Sequence, residues 1–186
     1  MLALNGVRSN KLEVKNETYT NKVYYNQDAR PSQASDAVNV FKLDLRQNFT
    51  LWNFIHQDNN ITYQTSSSRE IMPLPQWYSR NSLYFQFELF GGALTCLTGA
   101  EMNYFSSYFS PSYNPATGVF YNDQKKEIGN YPYVDIFANF KLQKARIFVK
   151  YENINQGLSN YTYYAAPHYP MADRTLRVGI TWRFFN

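Results

Sequence analysis

Acidic and basic side chains recur at two-residue spacing along this chain, with apolar residues between them. Lys42, Asp44 and Arg46 alternate in this way, and Lys150 and Glu152 repeat the pattern nearer the C-terminus. Residues two apart project from the same face of a β-strand. Opposite charges gathered on one face can pair with each other, or they can line a hydrated passage and select solutes by charge. The chemistry that these residues suggest is therefore electrostatic and involves no covalent step.

The same two-residue spacing, followed along the whole chain, defines the charged positions that would face inward in a closed sheet. These candidate lumen-lining residues are Lys42, Asp44, Arg46, Glu88, Glu101, Asp135, Lys141, Arg146, Lys150, Glu152, Arg177 and Arg183. In an alternative that stays open at this point, the same charges only solvate or stabilise the interior of the sheet. The two alternatives differ in which charges pair, and spacing along the chain does not determine that.

No catalytic or metal-binding constellation accompanies these charges. The chain has no Gly-x-Ser-x-Gly, no His-Glu-x-x-His, no phosphate-binding glycine-rich loop and no cysteine cluster. His56 and His168 are expected in connections at opposite ends of the sheet, and His168 is expected to be a solvated loop side chain. The single cysteine, Cys96, excludes an internal disulfide. We therefore expect no enzymatic activity, no cofactor and no metal site.

The composition favours extended structure over helix. Among 186 residues there are 17 Tyr, 14 Phe and 3 Trp, and aromatic side chains suit a pleated surface. The net charge of +4 is spread without basic runs, which argues against a nucleic-acid partner. No stretch approaches the roughly 20 apolar residues of a membrane-spanning helix. We expect a single domain over residues 1–186, with no internal boundary.

Alternation of apolar and polar residues predicts about eight β-strands. The longest alternating segment runs from Phe41 to Ile55 and predicts one strand of roughly fifteen residues, against a usual length of about five or six. A two-residue turn is predicted at Gln143-Lys144. The other predicted strands cover residues 82–90, 94–104, 134–142, 145–151 and 174–184, with weaker ones at 11–19 and 60–65.

Short and long connections alternate between these strands. The short ones are predicted at residues 5–10, 56–60, 91–92 and 143–144, and the long ones at 21–37, 66–81, 106–132 and 155–173. Outer-membrane barrels have this asymmetry, whereas a soluble sandwich has no physical reason for it, because both of its ends meet the same solvent. Most segments also supply the roughly 9 to 11 residues that a spanning strand needs. The pattern predicts an all-β fold, a transmembrane up-and-down antiparallel β-barrel of about eight strands.

The last third of the chain carries the motifs of a known family. They are Tyr-Asn-Pro at 113–115, Gly129 with Tyr131 and Pro132, Asp135 with Phe137, the strand end from Lys150 to Asn153, Tyr169-Pro170 with Arg174, and Gly179 with Trp182-Arg183-Phe184. In these motifs the chain resembles the β-barrel porins of Bacteroidetes outer membranes. Trp182, Phe184 and Phe185 further resemble the C-terminal aromatic signal that the outer-membrane assembly machinery recognises.

The resemblance implies a location in the bacterial outer membrane and a function in the passive diffusion of small solutes. It also implies outer-membrane lipid, the assembly machinery and small solutes as partners. Members of that family are longer, so this chain is expected to form the C-terminal part of a larger barrel.

Two alternatives remain beside the porin interpretation. One is the C-terminal barrel portion of a TonB-dependent receptor, which ends in a similar strand. The other is a soluble all-β carbohydrate-binding module with tyrosine-rich loops. In such a module, the apolar faces of residues 41–55 and 176–184 would pack on each other.

Overall fold

The computed structural model describes residues 8–158 and 163–184. Sixteen β-strands are formed within them. In chain order these are β1 (Arg8–Tyr19), β2 (Val23–Tyr25), β3 (Pro31–Gln33), β4 (Val38–Leu51), β5 (Ile55–Ser66), β6 (Trp77–Leu89), β7 (Leu94–Phe105), β8 (Tyr108–Phe109), β9 (Ser112–Asn114), β10 (Val119–Tyr121), β11 (Glu127–Ile128), β12 (Tyr133–Leu142), β13 (Ala145–Glu152), β14 (Tyr164–Ala166), β15 (Tyr169–Pro170) and β16 (Thr175–Trp182).

Eight long strands form one antiparallel sheet in the order β1-β4-β5-β6-β7-β12-β13-β16. Each of them pairs with the next long strand along the chain, so the sheet is a meander. The remaining short strands form two-stranded sheets within the connections. The all-β class and the eight antiparallel strands are as the alternation predicted. Within the described residues, no helix is long and apolar enough to cross a membrane.

The expected closed barrel is not found. Among the described residues, β1 pairs only with β4 and β16 only with β13, so both are edge strands of an open sheet. Closure depends on strand tilt and stagger, whereas two-residue alternation specifies only which side chains share a face. Alternation therefore predicts the faces of this sheet but carries no information about whether its edges meet.

The first tight turn of the sheet lies earlier than predicted. β4 ends at Leu51 and β5 begins at Ile55, with positive φ angles of 50° at Trp52 and 61° at Asn53 between them. The turn spans three residues, so apolar residues keep odd numbers on both sides of it, and the alternation continues through the turn without a break. The single strand predicted for residues 41–55 and the connection predicted at 56–60 are both wrong, and His56 lies in β5 instead of a loop.

The other boundaries differ from the predictions by smaller amounts. β6 begins at Trp77, five residues before the predicted strand, and β16 ends at Trp182, before Arg183 and Phe184. The turn at Gln143-Lys144 is confirmed, with φ of 42° at Gln143. The predicted connection at residues 5–10 lies partly outside the described residues and otherwise within β1.

One face of the sheet is apolar and has no protein packed over it. Leu12 on β1 is 64% exposed, Ile136 on β12 is 43% exposed and Ile180 on β16 is 69% exposed. The register places these residues on the same side of the sheet as the other alternating apolar positions. We call this side the apolar face. The buried aromatic cluster of the described chain lies elsewhere, at Tyr131, Tyr133 and Tyr163, beside the long connections.

Gly99 and Gly179 lie on the opposite face, directly opposite Tyr84 and Phe148 of the neighbouring strands. A Cβ atom at Gly99 would collide with the Leu83 carbonyl oxygen and with the Tyr84 Cα atom. At Gly179, the three atoms nearest to an added Cβ atom all belong to the ring of Phe148. Backbone atoms cannot move without breaking the pairing of β6 with β7, whereas a side-chain ring can rotate.

We therefore expect Gly99→Ala to lower the free energy of unfolding by about 1 to 3 kcal/mol, and Gly179→Ala by clearly less. Urea unfolding of the folded protein in detergent, followed by tryptophan fluorescence, measures both variants. Gly179→Ala is the matched control, because it adds the same methyl group on the same face. An equal or larger loss for Gly179→Ala contradicts the expectation.

Candidate functional site: the charged face of the sheet

The side of the sheet opposite the apolar face carries the charges that the sequence singled out. The strand register places the predicted residues on one face of the sheet, for example with Glu101 opposite Asp135 and Lys150 opposite Arg177. Arg183 follows β16 in the same phase. We call this side the charged face. Whether it lines a lumen stays a prediction, but the side chains required for a lumen lie together.

An unbroken row of charges crosses five strands of the charged face. We call it the ion-pair belt, and its members are Arg80, Glu101, Asp135, Lys150, Glu152 and Arg177. The shortest nitrogen–oxygen distances are 2.7 Å for Arg80 to Glu101, 2.8 Å for Lys150 to Asp135 and 2.7 Å for Arg177 to Glu152. Lys150 also lies 3.9 Å from Glu152. Three cations balance three carboxylates, so the belt as a whole has no net charge.

Asp135 is the member of the belt that most needs a counter-charge, because it is the most deeply buried. Its side chain is 3% exposed, and it accepts hydrogen bonds from the Asn153 backbone nitrogen at 2.9 Å and from Lys150. A buried carboxylate without a partner is strongly unfavourable, because the protein interior solvates charge poorly. The belt is therefore a structural requirement of the charged face as well as part of its electrostatic surface.

A second group of charges lies on β1 and β4. Glu13 contacts Lys11 at 3.2 Å and Lys15 at 2.8 Å, and Lys42 lies 3.2 Å from Asp44. Glu13 is directly opposite Asp44 in the register. Asp44 is buried and also accepts a hydrogen bond from Thr62. Here, too, each carboxylate is flanked by cations on the same face.

Arg80 and Glu13 belong to these groups but were missed among the sequence candidates. Arg80 was missed because β6 was predicted to begin after it, although it continues the even-numbered series of Gln86 and Glu88. Glu13 alternates with Lys11 and Lys15 in a segment that had been predicted as a weak strand. Extending each two-residue series to the full length of a spanning strand would have identified both residues.

The four long connections all leave the sheet at the end nearer the ion-pair belt. They are the first loop (residues 20–37), the second (67–76), the third (106–132) and the fourth (153–174, described except for 159–162). Within the described residues, the tight connections at residues 52–54, 90–93 and 143–144 lie at the other end. The predicted alternation of short and long connections is therefore observed.

The third loop holds the loops together. Its Asn122 donates from the backbone nitrogen to the Tyr25 carbonyl oxygen at 3.0 Å, which joins it to the first loop. The Asn122 side chain donates to the Glu70 and Ile71 carbonyl oxygens at 2.8 and 3.0 Å, which joins it to the second. Lys126 lies 3.7 Å from the ring centre of Tyr164 in the fourth loop. The loops thus form one connected assembly over one end of the sheet.

Asn153 anchors the fourth loop to the sheet. It is fully buried with a positive φ of 53°, a conformation that Asn tolerates better than most residues. Its side chain accepts a hydrogen bond from the Tyr131 hydroxyl at 2.6 Å and donates to the Ala172 carbonyl oxygen at 3.3 Å. Nearby, Arg174 donates to the carbonyl oxygens of Ile154 and Gln156. Several of the motifs that carried the family resemblance therefore meet at one structural joint.

Burial raises the pKa of Tyr131 above the ordinary tyrosine value of 10.0. A hydrogen bond to the Asp173 carboxylate at 2.7 Å, followed by burial, raises the pKa of Tyr163 in the same direction. The two rings contact each other, with centroids 5.1 Å apart. The joint beneath the fourth loop is therefore built from tyrosines that hold their protons more tightly than usual.

The remaining sequence candidates lie away from these groups. Trp182 and Phe184 are exposed at the short-turn end, and Phe185 lies outside the described residues. His56 stacks on Tyr84 with ring centroids 4.9 Å apart, and His168 lies between β14 and β15. No group of His, Cys, Asp and Glu side chains in the described part of the chain is arranged to hold a metal ion.

Outer-membrane β-barrels have strands with one apolar and one polar face and longer connections at one end, and this sheet has both features. The model of the family described as Putative porin matches residues 2–186, so the chain belongs to that family. No curated protein and no solved structure matches the chain.

The ion-pair belt predicts that Lys150→Met destabilises the protein by about 1 to 3 kcal/mol, because it leaves the buried Asp135 carboxylate without its cation. The double variant Asp135→Asn with Lys150→Met should recover part of this loss, because an amide needs no counter-charge. Urea unfolding in detergent measures both variants. Lys141→Met is the control, since Lys141 makes no ion pair among the described residues. Equal losses for Lys150→Met and Lys141→Met contradict a role for the belt.

The tyrosine joint predicts a loss of stability at alkaline pH. Because the folded protein holds these protons more tightly than the unfolded chain, the associated stability is present below pH 10 and is lost as the pH rises through the raised pKa values. Tyrosinate absorbance during a pH titration measures the ionisation. Tyr131→Phe should remove a late-titrating group, and Tyr169→Phe, at an exposed position, controls for the number of tyrosines. Identical titration curves for the two variants contradict the expectation.

Proposed function

We propose that this chain forms part of the wall of an outer-membrane β-barrel through which small solutes pass by diffusion. The observation that carries the proposal is the uncovered apolar face. Exposed apolar side chains extend from β1 to β16, across the whole width of the sheet. In water, so large a patch would favour association, whereas the hydrocarbon core of a membrane covers it without any protein partner.

The dimensions of the sheet support this placement. The strands from β1 to β7 in the sheet have 12 to 14 residues, β12 has 10, and β13 and β16 have 8 each. A tilted strand of roughly 9 to 11 residues crosses a bilayer. Tight connections at one end and long ones at the other match the periplasmic turns and extracellular loops of outer-membrane barrels.

The charged face would then line the hydrated interior. Solutes would be selected by the width of the passage and by the charges along it, with the loop assembly shaping the outer mouth. The ion-pair belt lies close to that assembly and is neutral as a whole, so it would present paired charges near the mouth. No bond to the solute forms or breaks in such a passage, which agrees with the absence of a catalytic motif in the sequence.

In such a wall, the backbone groups at both edges of the sheet need hydrogen-bond partners. Unpaired backbone groups are too costly in lipid, so the free edges of β1 and β16 must each pair with another strand. Eight strands alone would enclose an interior that side chains just fill, while aqueous channels need roughly sixteen. We therefore propose that these eight strands share the barrel with further strands. The partners of the wall would be outer-membrane lipid, passing solutes and, through Trp182 and Phe184, the assembly machinery.

The family supports the porin interpretation over the two alternatives. A soluble carbohydrate-binding module required the apolar faces of residues 41–55 and 176–184 to pack on each other. They lie instead on one side of a single sheet, with Phe41 and Leu176 both exposed. The match to the Putative porin family over residues 2–186 favours a porin over a TonB-dependent receptor.

The proposal predicts that the protein inserts into lipid vesicles and releases small trapped solutes but retains large ones. Ile136→Lys places a charge on the apolar face of β12 and should abolish insertion, because a lysine facing the centre of the bilayer is unfavourable by about 2 to 4 kcal/mol. Asn139→Lys adds the same charge to the charged face of the same strand and should insert normally.

Vesicle flotation, gel mobility with and without heating, and solute release measure these outcomes. A protein that stays soluble without detergent would overturn the membrane placement. Insertion without release of any solute would overturn diffusion while leaving the membrane placement intact.

A further inference from the structure

The cations on the charged face are not all balanced. Lys141 on β12 and Arg146 on β13 face each other directly across the tight turn at Gln143-Lys144. Arg183 is brought to the same place, because its backbone nitrogen donates to the Lys144 carbonyl oxygen at 3.0 Å. We call Lys141, Lys144, Arg146 and Arg183 the basic cluster. Within the described part of the chain, none of the four makes an ion pair.

The basic cluster departs from the arrangement elsewhere on the charged face. Like charges directly opposite each other on paired strands are destabilising unless something offsets them. Lys11 and Arg46 also face each other, but Glu13 lies 3.2 Å from Lys11, and Asp44 is two residues from Arg46 on the same face. Near the basic cluster, the carboxylate on the charged face is Glu88 of β6, which β7 separates from β12.

The space beside these cations is open to a small ligand. A recess of about 260 Å³ is lined by Lys141, Gln143, Lys144, Arg146, Thr181 and Arg183. It adjoins a larger recess of about 520 Å³, which shares Lys141, Arg146 and Thr181 and reaches Glu88. At about 30 Å³ per water molecule, the smaller recess has room for several waters or for a small anion. Its lining combines guanidinium and ammonium donors with the Thr181 hydroxyl and the Gln143 amide.

We propose that the basic cluster binds a small oxyanion, such as inorganic phosphate or the phosphoryl or carboxylate group of a passing solute. Guanidinium groups pair with oxyanions through two parallel hydrogen bonds, and the ammonium groups add charge without a fixed geometry. A bound oxyanion would offset the repulsion between Lys141 and Arg146. A role of the basic cluster in solute passage rests on the proposed function, whereas oxyanion binding by the cluster does not.

Along the sheet, the two ends of the charged face would then act differently on solutes. Near the loops, the ion-pair belt presents balanced charge and favours neither sign. At the short-turn end, the basic cluster attracts anions and repels cations. The passage would favour anionic solutes, and the cluster would be the last site that an incoming solute meets before it leaves at the end away from the loops.

Calorimetric titration of the folded protein in a non-ionic detergent with inorganic phosphate tests the site. We expect saturable binding, and we expect Lys141→Gln with Arg146→Gln to weaken it by at least about tenfold, equivalent to about 1.4 kcal/mol. Lys11→Gln with Arg46→Gln is the matched control, since it removes the same directly opposed Lys and Arg from the same face. This control should change the affinity by less than about twofold. Phosphate is the only oxyanion offered, so lipid headgroups do not contribute.

Equal weakening in both double variants would show general attraction to a positive surface and would overturn the site, as would the absence of saturable binding. If the first double variant does not fold, Arg183→Gln, beyond the end of β16, takes its place and should weaken binding by about threefold. The reversal potential across a vesicle or planar bilayer reports separately on passage. Anion preference that is lost with Lys141→Gln supports the role in passage. Phosphate binding by a protein that conducts no ions would support the oxyanion site and would contradict the proposed passage of solutes.

Discussion

The two faces of one sheet must be compatible with two different surroundings, and the rest of this structure depends on that constraint. A sheet packed on a second layer could bury its apolar side chains inside the protein. Here many apolar positions from β1 to β16 remain exposed, while the opposite face carries the charged side chains. The division holds at most positions of the sheet, with exceptions such as Gln57 and Asn59 on the apolar face of β5, and a shift of one residue in any strand would exchange its faces. The division specifies the register throughout the sheet.

Charge placement on the polar side follows from the same constraint. A carboxylate buried on this side, such as Asp135, is poorly solvated without a partner, and the register brings acids and bases on neighbouring strands together. The ion-pair belt does this across five strands, and Asp135 is its most buried acid. The belt also contacts the loop assembly, because Asp135 accepts from the Asn153 backbone nitrogen, and the Asn153 side chain accepts from the Tyr131 hydroxyl. The ion-pair belt and the position of the fourth loop are therefore coupled through Asp135 and Asn153.

The asymmetry between the two ends of the sheet has a physical basis in the same arrangement. Many of the buried side chains of the described chain lie in the long loops or at the adjoining strand ends, including the cluster of Tyr131, Tyr133 and Tyr163. These loops lie at the end of the sheet that carries the balanced part of the charged face. The tight turns bring strands together without adding any covering structure. The basic cluster at that end has neither a loop to cover it nor an ion-pair partner among the described residues. A passage lined by this face would therefore change in character along its length.

Much of this architecture was determined by the sequence alone. Alternation from Phe41 onward, and again from Leu176 to Trp182, determined which side chains share a face, because a two-residue period has only one arrangement on a strand. Connection lengths determined which ends carry loops. The turn at Trp52 and Asn53 could not be predicted from the alternation. A turn of three residues leaves the apolar residues at odd numbers on both sides, so the pattern continues through it. Arg80 was missed because the apolar alternation does not extend over the whole of β6, and Arg80 lies near the beginning of that strand, where the alternation is weak.

Only the tertiary structure decided which charges meet. The sequence placed four charged residues on one face without indicating which of them pair: Lys141, Arg146, Lys150 and Asp135. The register separates them into a cation paired with a buried acid and two cations that face each other. Pairing depends on the stagger between strands that are distant in sequence, and so does the open edge at β1 and β16. Local spacing contains neither quantity, because both are set by the hydrogen-bond ladders that form when the strands come together.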